Sequence, residues 1–244
     1  MKEYKILFIG NSFTYFNDMP NAIFGEICRS AGYNVSVDSV THGGYHLYKH
    51  ADPADPCGKV IEEKLKENKY DYIILQEQSG SPVATPGLFY DGVRALAKKA
   101  SENGAKLFLY ETWGYKEGYS KLPTHGGDTV KMEMMLRAAY TAIGEEIGAE
   151  VIYVGAAMTD IYENHKEINT YASDLFHPSA EGSTLAAFTI FSRIFGADPR
   201  QISHNGACAS DEAAKALKAA AYSAALTPCN VGERFKTSSV GVGK

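Results

Sequence analysis

The residues best able to do chemistry lie far apart in the chain. Gly10-Asn11-Ser12-Phe13-Thr14 follows the apolar run Tyr4 to Ile9 and sets a hydroxyl just beyond a tight turn. A serine there has two readings: it caps the following helix, as turn serines do, or it is a nucleophile, which needs a base within hydrogen-bond reach. A base stands near the far end, in Asp174-Leu175-Phe176-His177-Pro178. Three residues of separation let the carboxylate fold back onto the imidazole, fix its tautomer and leave the other ring nitrogen free to face a hydroxyl. Acyl transfer also needs donors for a developing oxyanion. Thr41-His42-Gly43-Gly44 offers backbone that can approach a substrate closely, and Leu75-Gln76-Glu77-Gln78-Ser79 offers two side-chain amides. Each segment alone reads as an ordinary loop; it is their conjunction that points to a site.

The elements between these segments must bring them together. Tyr4 to Ile9, Val35 to Val40, Tyr72 to Leu75, Lys106 to Tyr110 and Val151 to Val154 read as five short strands. Helical patterns run from about Met19 to Ala31, over 58–69, 87–103 and 129–148, from Ser179 to Phe195 and from Asp211 to Leu226. Asn103-Gly104 reads as a left-handed helix end, and Ser179 as a helix cap. Strand–helix alternation predicts an α/β fold: a three-layer α/β/α sandwich around a five-stranded, mostly parallel, doubly wound sheet. In such sheets ligands bind beyond the carboxyl ends of the strands, where all four segments fall. One domain is expected over 1–236, with a flexible tail over 237–244.

In that order and spacing the chain resembles the SGNH (GDSL-type) hydrolases. The resemblance rests on Gly10-Asn11-Ser12 after strand one, Gly44 after strand two, the amide-bearing Gln76 to Ser79 after strand three, and Asp174-x-x-His177 near the end. It implies a flavodoxin-like three-layer fold and a serine esterase mechanism without a cofactor. Ser12 would be the nucleophile, His177 the base and Asp174 its orienting partner. The N–H groups of Ser12 and Gly44 would form part of the oxyanion hole. Asn11 stands where that family usually has aspartate, and its Gly-x-Asn-Asp third block is absent. Gln78 falls nearest the missing asparagine, with Gln76 on the same side of an extended chain as the second choice. A Gln-x-x-Ser third block resembles the carbohydrate O-acetylesterase branches, which points to acetyl esters of sugars.

Other constellations compete. Gly10 to Thr14 could instead cradle a phosphate in a non-catalytic flavodoxin-like nucleotide-binding module, although the glycine spacing of a dinucleotide fingerprint is missing. A lipase or thioesterase of the same fold is the other alternative. His42, His46 and His50 are spaced four apart, as on a metal-binding helix face, but Gly43-Gly44 disfavours that helix by about 1 kcal/mol per glycine, so no metal is expected. Glu111 opens a long loop carrying Trp113, Tyr115, Tyr119 and His125. Trp113 and Tyr115 are its candidate substrate-binding rings, able to stack on a sugar face. Met132, Met134 and Met135 read as core positions of the next helix.

Composition narrows the partners. The 244 residues carry 24 Lys+Arg against 29 Asp+Glu without a block of like charge, which argues against nucleic-acid or anionic-membrane surfaces. No apolar run approaches the roughly 18–20 residues of a membrane span. Four scattered cysteines, Cys28, Cys57, Cys208 and Cys229, do not make a disulfide scaffold, and a strand begins almost at Met1, so a cytoplasmic location is expected. Of 16 tyrosines, Tyr15, Tyr45, Tyr48, Tyr115, Tyr119 and Tyr171 fall on or near the site loops. The expected substrate is therefore a small-molecule or carbohydrate ester, held by rings and hydroxyls.

Overall fold

A computed structural model describes residues 2–228. The tail expected over 237–244, and Cys229, lie outside the described residues. Five strands form the sheet: β1 (Glu3–Gly10), β2 (Asn34–Thr41), β3 (Tyr72–Leu75), β4 (Lys106–Tyr110) and β5 (Glu150–Ile152). Their order is β2-β1-β3-β4-β5 and every pairing is parallel. The chain leaves β1 toward β2 on one side and returns as β3 on the other. The connections after β1 and β3 therefore diverge, and a crevice opens between them at this switch point.

Alternation along the strands divides the core in two. Ile6, Phe8, Ile74, Phe108, Tyr110 and Ile152 face one side, whereas Leu7, Ile9, Ile73, Leu75, Leu109 and Val151 face the other. Both sets are buried, as in a parallel sheet covered on both faces. In chain order the helices are α1 (Ser12–Tyr15), α2 (Gly25–Ser30), α3 (Leu47–Ala51), α4 (Pro56–Glu67), α5 (Ser81–Ala84), α6 (Pro86–Asn103), α7 (Thr129–Ile147), α8 (Val154–Asn164), α9 (Ala180–Phe195) and α10 (Asp211–Ala225). Ile27 and Cys28 of α2, with apolar residues of α8, α9 and α10, cover the first face. Leu47 of α3, Ile61 of α4 and Phe89 and Val93 of α6 cover the second. Helix α7 serves both, Met132 and Leu136 packing on one face and Tyr140 and Ile143 on the other.

Most boundaries fall where the sequence places them, and the differences are local. Gly104 ends α6 at φ +85° and Ser179 caps α9 through the N–H of Gly182. The expected helix from Met19 starts as a π-helical segment, Met19–Phe24, after Asn17 and Asp18 take left-handed φ of +56° and +48°. Val154, expected in the fifth strand, opens α8 instead. Met132 is core as expected, but Met134 and Met135 lie on the solvent side of α7, 63% and 40% exposed. No helix among the described residues is long and apolar enough to cross a membrane.

Candidate active site

The turn after β1 is built for close contact. A Cβ on Gly10 would lie 2.6 Å from Thr14 Oγ1 and 2.7 Å from Gln76 Oε1, so only glycine fits there. Gln76 Oε1 accepts hydrogen bonds from the Asn11 N–H (3.0 Å) and the Thr14 hydroxyl (2.8 Å). Asn11 caps α1 through the Phe13 N–H (3.1 Å), and its amide donates to the Tyr45 carbonyl (3.0 Å). The buried His50 ring donates from Nε2 to the Gly10 carbonyl at 2.9 Å. These contacts fix Ser12, the first residue of α1, at the carboxyl edge of the sheet, with 8% of its surface exposed.

Across the crevice, Leu175 adopts φ +69°, a left-handed conformation that a branched side chain rarely takes. It reverses the chain so that Asp174 and His177 face each other. Asp174 Oδ2 lies 2.6 Å from His177 Nδ1, while Oδ1 accepts from the N–H groups of His177 (3.0 Å) and Phe176 (3.2 Å). His177 Nε2 lies 2.8 Å from Ser12 Oγ. Residues 165 positions apart thus meet in one hydrogen-bonded chain from carboxylate through imidazole to hydroxyl. Partial burial pushes the Asp174 carboxyl upward, but the His177 ring and the two N–H donors outweigh it and hold it below the ordinary carboxylate range. Phe16 stacks on the His177 ring, 4.0 Å between centroids and 3° from parallel, and Phe176 packs on it at 3.9 Å.

Ser12 and His177 open into a cavity of about 340 Å³ lined also by Gly43, Gly44, Gln78 and Ser79, by Tyr15, Tyr115 and Tyr119, and by Lys121 and Phe176. Gly44, at φ +69°, and Gln78 line this cavity together with Ser12. Gln78 Oε1 accepts from the Gly80 and Ser81 N–H groups, both at 3.1 Å, which fixes the amide orientation and turns Nε2 toward Ser79 Oγ (3.2 Å). Ser79 Oγ in turn lies 2.9 Å from the Tyr115 hydroxyl. Burial pushes the Tyr115 phenol above its ordinary range, so it keeps its proton. A larger depression of about 520 Å³ between α4 and α6 is lined by lysines and glutamates and lies apart from Ser12 and His177.

Several expected residues lie elsewhere. Gln76 is not a cavity donor: its oxygen secures the Ser12 turn and its Nε2 donates to the Glu77 carbonyl. Trp113 is not a substrate wall. Gly114 lets the loop press against α7, where a Cβ would fall 2.1 Å from the Thr129 carbonyl, and this sinks Trp113 completely. The indole stacks on Phe13 at 4.2 Å and donates to the Phe176 carbonyl at 3.0 Å, so it braces the neighbours of both Ser12 and His177 from below. The three spaced histidines share no helix face, since α3 begins only at Leu47. His42 contacts the Gly43 carbonyl, His46 lies beside Glu77, and His50 holds Gly10. Among the tyrosines, Tyr45 bonds Asp55, Tyr171 is buried on the Gly114 carbonyl, and Tyr48 lies outside the cavity. Phe16 and Phe176 went unread in the sequence, although Phe176 adjoins His177 and Phe16 follows Ser12 by one helical turn.

No family model and no curated protein matches the chain. Solved structures do. A protein from Slackia heliotrinireducens, described as a candidate SGNH hydrolase, is 28% identical, with a TM-score of 0.64 over 76% of this chain and 96% of its own. A DUF4886 family protein from Bacteroides uniformis is 20% identical, with a TM-score of 0.81 over 95% of this chain and 98% of its own. An acetyl-xylooligosaccharide esterase from Geobacillus is 15% identical, with a TM-score of 0.54 over 80% and 94%. The parallel sheet with helices on both faces is the SGNH hydrolase fold, and the resemblance read from the four sequence segments holds in three dimensions.

Proposed function

We propose that the chain is a serine esterase that removes a small acyl group, acetate, from a carbohydrate ester. The observation that carries this is the continuous hydrogen-bonded path from Asp174 through His177 to Ser12 at 2.6 and 2.8 Å, ending in a cavity rimmed by hydroxyls and aromatic rings. Ser12 Oγ attacks the ester carbonyl carbon and its proton passes to His177 Nε2. Negative charge then collects on the carbonyl oxygen, where the N–H groups of Ser12 and Gly44 and the Gln78 amide are the donors at hand. The bond to the sugar oxygen breaks, His177 returns the proton to the leaving alkoxide, and an acyl-serine remains. Water, deprotonated by the same imidazole, attacks that acyl group, and Ser12 recovers its proton as acetate departs. Asp174 keeps Nδ1 protonated and offsets the charge on the imidazolium in both halves.

Sugar esters are favoured by the cavity lining and by analogy with the fold neighbours. Tyr15, Tyr119 and Phe176 offer faces for a pyranose, while Tyr115, Ser79 and Lys121 offer donors to its oxygens. Two of the solved neighbours are described as an acetyl xylan esterase and an acetyl-xylooligosaccharide esterase. A panel of acetylated sugars assayed beside p-nitrophenyl esters of increasing chain length tests the reading. Turnover of acetylated sugars and decline beyond short acyl chains are expected; preference for long chains would replace it with a lipase or thioesterase reading.

A further inference from the structure

One buried acid is unused by this mechanism. Glu77 is fully buried, between Gln76 and Gln78 at the end of β3. Its two oxygens serve two different loops. Oε2 accepts from the N–H of Leu47 at 3.1 Å, and Oε1 accepts from the N–H of Gln78 at 2.7 Å. The Nδ1 of half-buried His46 also lies 3.1 Å from Oε1, within ion-pair distance but outside hydrogen-bond geometry. The main chain of Glu77 is held as well: its N–H donates to the Tyr140 hydroxyl at 3.3 Å and its carbonyl accepts from the Gln76 amide.

Leu47 follows Gly44 by three residues, and Gln78 is the next residue after Glu77. Gly44 and Gln78 both line the cavity that holds Ser12, on loops that leave β2 and β3. Those strands are separated in the sheet by β1, so no ladder hydrogen bond sets the distance between their loops. A carboxylate that merely capped α3 would bond Leu47 alone. The Glu77 carboxylate joins both loops instead, and burying it without a full-time cationic partner costs stability. We propose that Glu77 is the positioning residue of the oxyanion hole, a strut that sets the separation of the Gly44 and Gln78 donors. The inference rests on the esterase reading of the site.

The test compares wild type, Glu77→Gln and Ser12→Ala on p-nitrophenyl acetate, with an alkyl fluorophosphonate as a second probe. Glutamine keeps the volume but has one acceptor oxygen, so one loop is released. Donors that matter only when the carbonyl oxygen is charged affect turnover more than ground-state binding. A misplacement on the order of 1 Å costs up to about 100-fold. Glu77→Gln is therefore expected to lower kcat about 10–100-fold with KM within about twofold. Phosphonate labelling should slow in parallel yet still end at one label per chain. An unchanged kcat overturns the proposal. So does a labelling endpoint that falls in proportion to kcat, because that reports lost folded protein. Should Glu77→Gln fail to fold, Glu77→Asp decides: it keeps both acceptor oxygens on an arm one methylene shorter, too short to hold both the Leu47 and Gln78 N–H groups. A lowered kcat at unchanged KM and endpoint supports the strut, and full activity overturns it. If wild type neither hydrolyses the ester nor takes label at Ser12, the esterase reading itself falls and this inference with it.

Discussion

Lowering the pH should destabilise the fold through a histidine beneath the Ser12 turn that never meets substrate. His50 is fully buried and its Nε2 donates to the Gly10 carbonyl at 2.9 Å, two residues before Ser12. Its Nδ1 is buried and has no hydrogen-bond partner, as suits a bare nitrogen in a neutral ring. Burial is the dominant cause that lowers its pKa from 6.5 to about 4, against a smaller opposing pull from the Gly10 carbonyl. The folded state thus resists a proton that the unfolded chain takes up readily. Stability is retained above pH 6.5, falls as pH drops from 6.5 toward 4, and levels off below. The gap between those two values corresponds to about 3 kcal/mol for this one group. Urea unfolding of wild type and His50→Gln at several pH values between 7.5 and 4 isolates it, because the other titrating groups are common to both chains. Glutamine can still donate to the Gly10 carbonyl but does not titrate. Wild type should lose about 3 kcal/mol more than His50→Gln across that range. Parallel pH profiles would refute the reasoning.

Three further outcomes follow from the geometry. Trp113→Phe should destabilise the protein by about 1–2 kcal/mol, through the lost hydrogen bond to Phe176 and the smaller ring, with KM for acetylated sugars within about twofold of wild type; a large rise in KM at unchanged stability would restore the wall role. Tyr115→Phe should raise KM for acetylated sugars more than for p-nitrophenyl acetate, because only the sugar offers further oxygens to the lost hydroxyl; equal effects on both would count against it. Burial, reinforced by neighbouring Glu133, holds the Glu111 carboxyl well above its ordinary 4.5. The native state then keeps a proton that the unfolded chain releases, so stability declines as pH rises above 4.5; chemical denaturation of Glu111→Gln should show a shallower decline, and an identical slope would exclude this origin.

The sheet and the Asp174–His177–Ser12 path were legible because both depend on local signals. Apolar runs of four to eight residues mark buried strands whatever surrounds them. A glycine turn after a strand and an Asp-x-x-His turn each concentrate their chemistry within five residues, and the doubly wound topology brings such turns to one edge. What stayed hidden depends on partners 30 to 70 positions away. Gln76 and Gln78 share a side in an extended chain, but β3 ends at Leu75, and the Asn11 N–H 65 positions upstream claims Gln76. Trp113 has the composition of a sugar platform, and only the close approach of Gly114 to α7 turns it inward. His50 stands in the sequence only as the last of three spaced histidines and Glu77 carries no local signal, since the Gly10 carbonyl and the Leu47 N–H that they bond lie 40 and 30 positions away.

The central claim is that Ser12 is a nucleophile activated by His177. Intact-mass and peptide analysis after treatment with an alkyl fluorophosphonate tests it most directly, since covalent capture reports the activated hydroxyl whatever the natural ester. Wild type should gain one adduct, mapped to Ser12, while Ser12→Ala gains none and loses ester hydrolysis with its unfolding midpoint retained. Adduct formation at another residue, or wild-type turnover by Ser12→Ala, would contradict the account.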